Sequence, residues 1–377
     1  MKNVLIAMLL YSGLTLTCQE DNRGIILDSV TKEPLRYAAL SWNSSQGAIA
    51  NEEGRYELFL NSSDSVHITI SHIGYKELRL NSMALSDTIY LSPKAYELDE
   101  IVLIDTDDLK NKILSSLNKN YDSNPDCDAF FYKQFLRENG AYVNYLEATG
   151  LVTYLSSVET PEVFIKGLRK TDNLITSYIN MRSGGIIGLL RATAADLLKA
   201  GSIVDYNWIT SDLIEAIVED ENTKTLSTLT INIYDYAIIK VLQNSLTDGL
   251  EHKYNNQTIR IDGKKIEFNG YLQGAFLEYD YRKIGGKYYL NRIYQKGKGI
   301  LVSTDGSMKH QFVSEQLYLT TKTLLNCPEK VQMIRLKKGK SLRKLKVKYH
   351  TEDWARLNGI LPLKEQQQIL STLGKLK

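Results

Sequence analysis

Few side chains in this 377-residue chain are typed and spaced for chemistry. Five histidines, His67, His72, His252, His310 and His350, are the first candidates for metal ligation or general base work. A zinc peptidase needs a His and a Glu three residues apart plus a distant His, because that set leaves one coordination position open for water. None of the five has a Glu at that offset. His350-Thr351-Glu352-Asp353 offers only an aspartate, in a segment better read as a helix start. Serine chemistry has no G-x-S-x-G elbow to build on. S-x-x-K at Ser29–Lys32 and at Ser341–Lys344 lacks an accompanying S-D-N or K-T-G. Phosphate loops and dinucleotide fingerprints are missing as well.

Asp107-Asp108 sit side by side at a helix start, where capping is their ordinary work, and Glu219-Asp220-Glu221 reads as a solvated loop. The expectation is therefore no catalytic residue, no metal and no cofactor. A hydrolase would require a cleft in which His252 or His310 meets a carboxylate or a serine, which spacing alone does not exclude.

The three cysteines, Cys18, Cys127 and Cys327, form no C-x-x-C, so redox and zinc motifs have no support. Cys127 and Cys327 leave two readings open, one disulfide or two buried thiols. Cys18 ends MKNVLIAMLLYSGLTLTC, whose lysine and apolar run Val4–Leu10 read as a secretory signal peptide over residues 1–18. Thr15-Leu16-Thr17-Cys18 places leucine one position late for a lipobox, so lipidation of Cys18 and plain cleavage near Cys18-Gln19 both stay open. No other apolar run reaches ~18 residues, and no transmembrane helix is expected in the mature chain.

The elements that would position any site begin with Asn51–Tyr75. Tyr56, Leu58 and Leu60, then Val66, Ile68 and Ile70, alternate with polar residues at the period of half-buried strands. Asn61–Ser65 between them reads as the turn of a hairpin. Gly24–Asp28, Ala38–Trp42 and Asp87–Leu91 supply further strands. The string G-x-x-x-D-x-x-T-x-E-P-L-x-x-A, then N-E-E-G-R-Y-E-L and I-S-H-I-G-Y, resembles the carboxypeptidase regulatory-like domain of Bacteroidota envelope proteins. The residues that carry it are Gly24, Asp28, Thr31, Glu33, Pro34, Leu35, Ala38, Asn51, Glu53, Gly54, Tyr56, Gly74 and Tyr75. The resemblance implies a seven-stranded transthyretin-like sandwich over residues 23–92, of the kind that begins many TonB-dependent transporters.

After a linker over 93–105, residues 106–363 read as a second, α+β domain, followed by a tail over 364–377. Leu109, Ile113, Leu114 and Leu117 stand at helical spacing in Thr106–Asn120, with Asp107 and Asp108 in the first turn where negative charge favours a helix. Phe130–Leu136 and Tyr142–Tyr154 pair around Glu138-Asn139-Gly140. KNY through YVNYLEATGLVTY, with YHTEDWARLNGILPL near the end, is similar to a group of uncharacterised Bacteroidota envelope proteins. Gly184–Ala200 is either a helix packed on a sheet or a hydrophobic lid, whose contacts would be Ile186, Ile187, Leu189 and Leu190. From Thr225 onward, strands separated by Asp-Gly and Gly-Gly turns predict an antiparallel meander, loosely like the open half-barrel of lipoprotein carriers.

Arg335–Lys348 holds eight basic residues. It reads as an edge strand defended by lysines, or as a contact with anionic headgroups through Lys337, Lys338, Arg343 and Lys344. A net charge of +2 and the lack of interleaved aromatics there exclude nucleic acid. The 24 tyrosines suit half-buried strands and equally a glycan surface.

The fold expected is mainly β, a transthyretin/Ig-like sandwich followed by an α+β domain with a large curved antiparallel sheet. The function expected is a non-enzymatic, exported binding or interaction module in the periplasm or at the outer membrane, with an envelope protein or complex as partner. A carrier of a lipid, acyl or glycan ligand is the alternative, and a cryptic hydrolase the third.

Overall fold

The computed structural model describes residues 22–42, 47–58, 60, 65–94, 103–121, 127–153, 161–171, 185–190, 194–220, 225–246, 253–261, 264–284, 286–324, 327–329, 333–337, 342–345 and 362–373. Cys18, Lys338, His252 and His350 fall outside these residues. The chain divides into two compact units that meet between Lys94 and Ala95. Each has its own apolar core.

The first unit holds seven short strands: β1 (Asn22–Asp28), β2 (Ala39–Ser41), β3 (Gly47–Ile49), β4 (Arg55–Leu58), β5 (His67–Ser71), β6 (Leu78–Asn81) and β7 (Thr88–Leu91). They form two sheets in the orders β4-β1-β7 and β3-β2-β5-β6. Ile26, Leu40, Tyr56, Leu58, Ile68, Ile70, Ile89 and Leu91 fill the space between them. The alternation read in the sequence therefore holds, but its hairpin does not. β4 pairs with β1 in one sheet, while β5 pairs with β2 and β6 in the other. Period-2 alternation says which face is buried and says nothing about the neighbouring strand.

The polar motif residues are turn-makers. Asp28 accepts hydrogen bonds from the amides of Val30 (2.6 Å) and Thr31 (3.1 Å) and from the Tyr75 hydroxyl (2.6 Å), tying the β1 turn to the end of the Gly74-Tyr75 turn. Asn51 Oδ1 accepts from the amides of Glu53 and Arg55, and Gly54 closes that turn at φ +72°, pressed against the Ile26 carbonyl where a Cβ would not fit.

The second unit opens with α1 (Thr106–Asn120), whose bounds match the expected helix. Asp105 caps it by accepting from the Asp108 amide, and Leu109 and Ile113 are its buried face. A hairpin of β8 (Cys127–Glu138) and β9 (Ala141–Thr153) follows, turning at Asn139 (φ +49°) and Gly140 (φ +84°), the pair that a two-residue turn with two positive φ angles demands. Next come β10 (Glu162–Lys170), the short helices α2 (Gly185–Leu189) and α3 (Ala194–Ala200), β11 (Gly201–Trp208), β12 (Leu213–Asp220), β13 (Leu226–Asn232), β14 (Ala237–Leu246) and β15 (Lys253–Ile261). The chain continues through β16 (Lys264–Ile284), β17 (Lys287–Ser303), β18 (Lys309–Leu324), β19 (Ile334–Arg335) and α4 (Lys364–Leu373). The single helix expected over Gly184–Ala200 is two short ones, and the expected tail holds α4. Glu219 and Asp220 end β12 rather than standing in a loop.

All twelve strands β8–β19 join one antiparallel sheet in the order β11-β12-β13-β14-β16-β17-β18-β8-β9-β10-β19, with β15 continuing the β14 side of β16. One apolar cluster takes residues from both ends of that order, Ile203 and Ile214 as well as Val163 and Leu336, together with Leu109 and Ile113 of α1 and Ile186 of α2. The sheet is curved around the helices. Of the basic run expected as an edge strand over Arg335–Lys348, only Arg335 lies in a strand, the edge strand β19, while Leu342–Lys344 forms a 3-10 turn.

Candidate polar cleft

Cross-strand partners in a sheet share a face, so the register fixes which side chains look into the concavity. One row reads Tyr279, Ile293, Tyr318, Tyr132 and Ala148 across β16, β17, β18, β8 and β9, and it lies in the core. The next row reads Leu277, Gln295, Gln316, Gln134 and Leu146. Three glutamines thus stand side by side on the face that carries the core. Beyond them the row is small, with Ala275, Gly297 and Ser314.

The glutamines are wired to each other. Tyr132 Oη donates to Gln316 Oε1 at 2.7 Å, and Gln316 Nε2 donates to Gln295 Oε1 at 2.9 Å. Complete burial pushes the Tyr132 phenol far above its ordinary range, so it is a fixed donor. That donor sets the orientation of the Gln316 amide, which in turn sets that of Gln295. Gln295 and Gln316, with Gly185, Gly188, Leu189, Leu277 and Tyr279, line a half-open cleft of about 190 Å³. Among the described residues no charged side chain lines it. Gly188 has open space where a Cβ would stand, so α2 leaves room above the glutamine floor.

Leu189, one of the four residues expected at a lid, lines this cleft. Ile186, Ile187 and Leu190 are buried in the main core. The basic run is divided: Lys337 is exposed, Arg343 donates to the Thr171 carbonyl while its own carbonyl accepts from Lys170, and Lys344 falls in the single 3-10 turn Leu342–Lys344.

His310 does meet a carboxylate. Its Nδ1 lies 3.0 Å from Glu138 Oε1, and its ring stands edge-on to Phe268. The pair sits four residues further along β8 than the glutamine row, beside a separate cluster of Leu136, Val143, Phe268, Leu301 and Phe312. Nothing in the sequence joined Glu138 to His310, because they lie far apart along the chain, on strands β8 and β18 that pair only in the folded sheet. The opposite sheet face carries ion pairs: Arg292 bonds both Asp280 (2.5 Å) and Glu278 (2.8 Å), Lys240 reaches Glu278 (2.9 Å), and Arg169 pairs with the buried Glu147. Among the described residues no group of three or more His, Cys, Asp or Glu is placed to hold a metal, and no helix is long and apolar enough to cross a membrane.

A protein-family model described as the CarboxypepD_reg-like domain matches residues 22–103. The first unit is thus a carboxypeptidase regulatory-like domain, and the match ends before α1. No curated protein and no solved structure matches the chain.

Proposed function

We propose that the chain is a non-enzymatic binding protein of the cell envelope, exported to the periplasm or outer membrane, and that its second unit takes a small uncharged ligand in the cleft beneath α2. The observation that carries this is the Tyr132–Gln316–Gln295 relay at a cleft that no charged side chain lines among the described residues. Oriented amides beside apolar surface suit hydroxyl or amide groups carried on a compact body, as in a glycan unit, and offer an ion no counter-charge. A lipid or acyl chain is the weaker reading. The cleft's volume of about 190 Å³ falls below the ~300–1,000 Å³ usual for sites that bury a drug-sized ligand. The His310–Glu138 pair supports a hydrolase poorly, since it packs beside apolar residues away from the cleft.

The regulatory-like domain and the leader-like N-terminus support the envelope assignment, with Cys18 as the residue to lipidate. Fractionation of cells expressing the whole chain checks it, and recovery of the mature protein in the cytosol would refute it. For the site, saturation-transfer NMR of the purified chain against neutral mono- and disaccharides is expected to show contact that Gln316→Leu abolishes. Equal signals from the two proteins, or none from any neutral saccharide, would remove the cleft from consideration.

A further inference from the structure

Two meanders, β8–β10 and β11–β18, with β19 added at the β10 edge, make up the large sheet, and the pairing of β18 with β8 joins the meanders side by side. Cys127 opens β8 at one end of this seam, with Leu324 opposite it. Cys327, three residues beyond Leu324, packs in the same apolar cluster as Cys127, together with Leu151, Phe164 and Met333. Both are thiols in the structure, Cys127 fully buried and Cys327 half-buried. A solitary buried cysteine is an ordinary apolar residue. Here two sulfurs 200 positions apart in sequence share one small cluster, and only the seam brings them there.

We propose that Cys127 and Cys327 are a disulfide-forming pair that clasps the end of the β8–β18 seam. The half-buried Cys327 meets the oxidant first. Its thiolate attacks one sulfur of a low-molecular-weight disulfide such as oxidised glutathione, and one glutathione thiolate leaves. The Cys127 thiolate then attacks Sγ of Cys327 in the mixed disulfide and expels the second glutathione. The two protein thiols lose two electrons and two protons, and one glutathione disulfide becomes two thiols. The cross-link closes a loop containing both meanders, and long loops restrict the unfolded chain most.

The test uses the whole purified chain, incubated with oxidised glutathione, then denatured in N-ethylmaleimide and mapped by mass spectrometry. A peptide linking Cys127 to Cys327, lighter by two hydrogen atoms than the two separate thiol peptides, is the expected result. Alkylation of both residues, or linkage of either one to Cys18 or to a second chain, overturns the proposal. A tris-phosphine reductant should lower the thermal midpoint of the oxidised wild type by several degrees. Cys327→Ser should show no such drop, and an equal drop in that variant would overturn the clasp even if the linked peptide formed. The mapping on the unmodified chain decides the matter where a variant fails to fold.

Discussion

Arg292 lies between two carboxylates, and the consequence is a pH limit on stability. Burial alone would raise the Glu278 pKa, but the neighbouring Arg292 and Lys240 charges outweigh it and hold the group below its ordinary value. A carboxyl whose folded value is depressed stabilises the fold above the unfolded value, ~4.3 for glutamate, and loses that contribution as pH falls through the folded value. Acid unfolding of Glu278→Gln, followed by tryptophan fluorescence, should therefore begin from lower stability at neutral pH and depend less on pH below ~4.3 than the wild type does. Identical acid limbs would show that Glu278 carries no such linkage. At this scale the turn roles of Asp28 and Asn51 appear only in the structure, whereas the sequence disclosed the Asn139-Gly140 turn, which holds the two positive φ angles that pair favours. It did not disclose the glutamine row or the His310–Glu138 pair, because such partners meet only through strand register, which no local window contains.

Elements were legible where one periodicity ran uninterrupted. α1 has apolar residues at helical spacing, an acidic first turn and a capping aspartate, so its bounds could be read directly. β16 and β17 are harder to read as single strands, because glycines cross them. Gly270 and Gly274 interrupt β16, and Gly297 and Gly299 interrupt β17. Structure gives a reason for one of these glycines. The Phe312 ring lies over Gly299, and a Cβ there would collide with that ring and with the Tyr271 carbonyl. The glycine is thus part of a cross-strand pair in which the aromatic supplies the buried surface. Gly299→Ala should destabilise the second unit by about 1–3 kcal/mol through overpacking. Urea unfolding measures it, and a loss below ~0.5 kcal/mol would mean that the Phe312 side of the sheet yields freely.

On the scale of the whole molecule, two units with separate cores should melt separately. Calorimetry of the full chain is expected to resolve two transitions, with the smaller enthalpy belonging to residues 22–94, since unfolding enthalpy scales with residue number. A single transition whose calorimetric and van't Hoff enthalpies agree would show that the two cores unfold together. The regulatory-like motif and the amphipathic helix after it were readable from sequence. The sheet order was not. Hairpins follow the order of the chain, but nothing local tells β18 to return to β8.

That return fixes an order of events during synthesis. The outer edge of β8 leaves the ribosome long before β18 exists, and at ~5–20 residues per second it waits on the order of ten to tens of seconds for its neighbour. Phe130, Tyr132 and Leu136 are presented meanwhile on a strand with unpaired amides, a surface that another nascent copy could occupy first. A chain built this way needs an escort, or dilution, until its last long strand arrives.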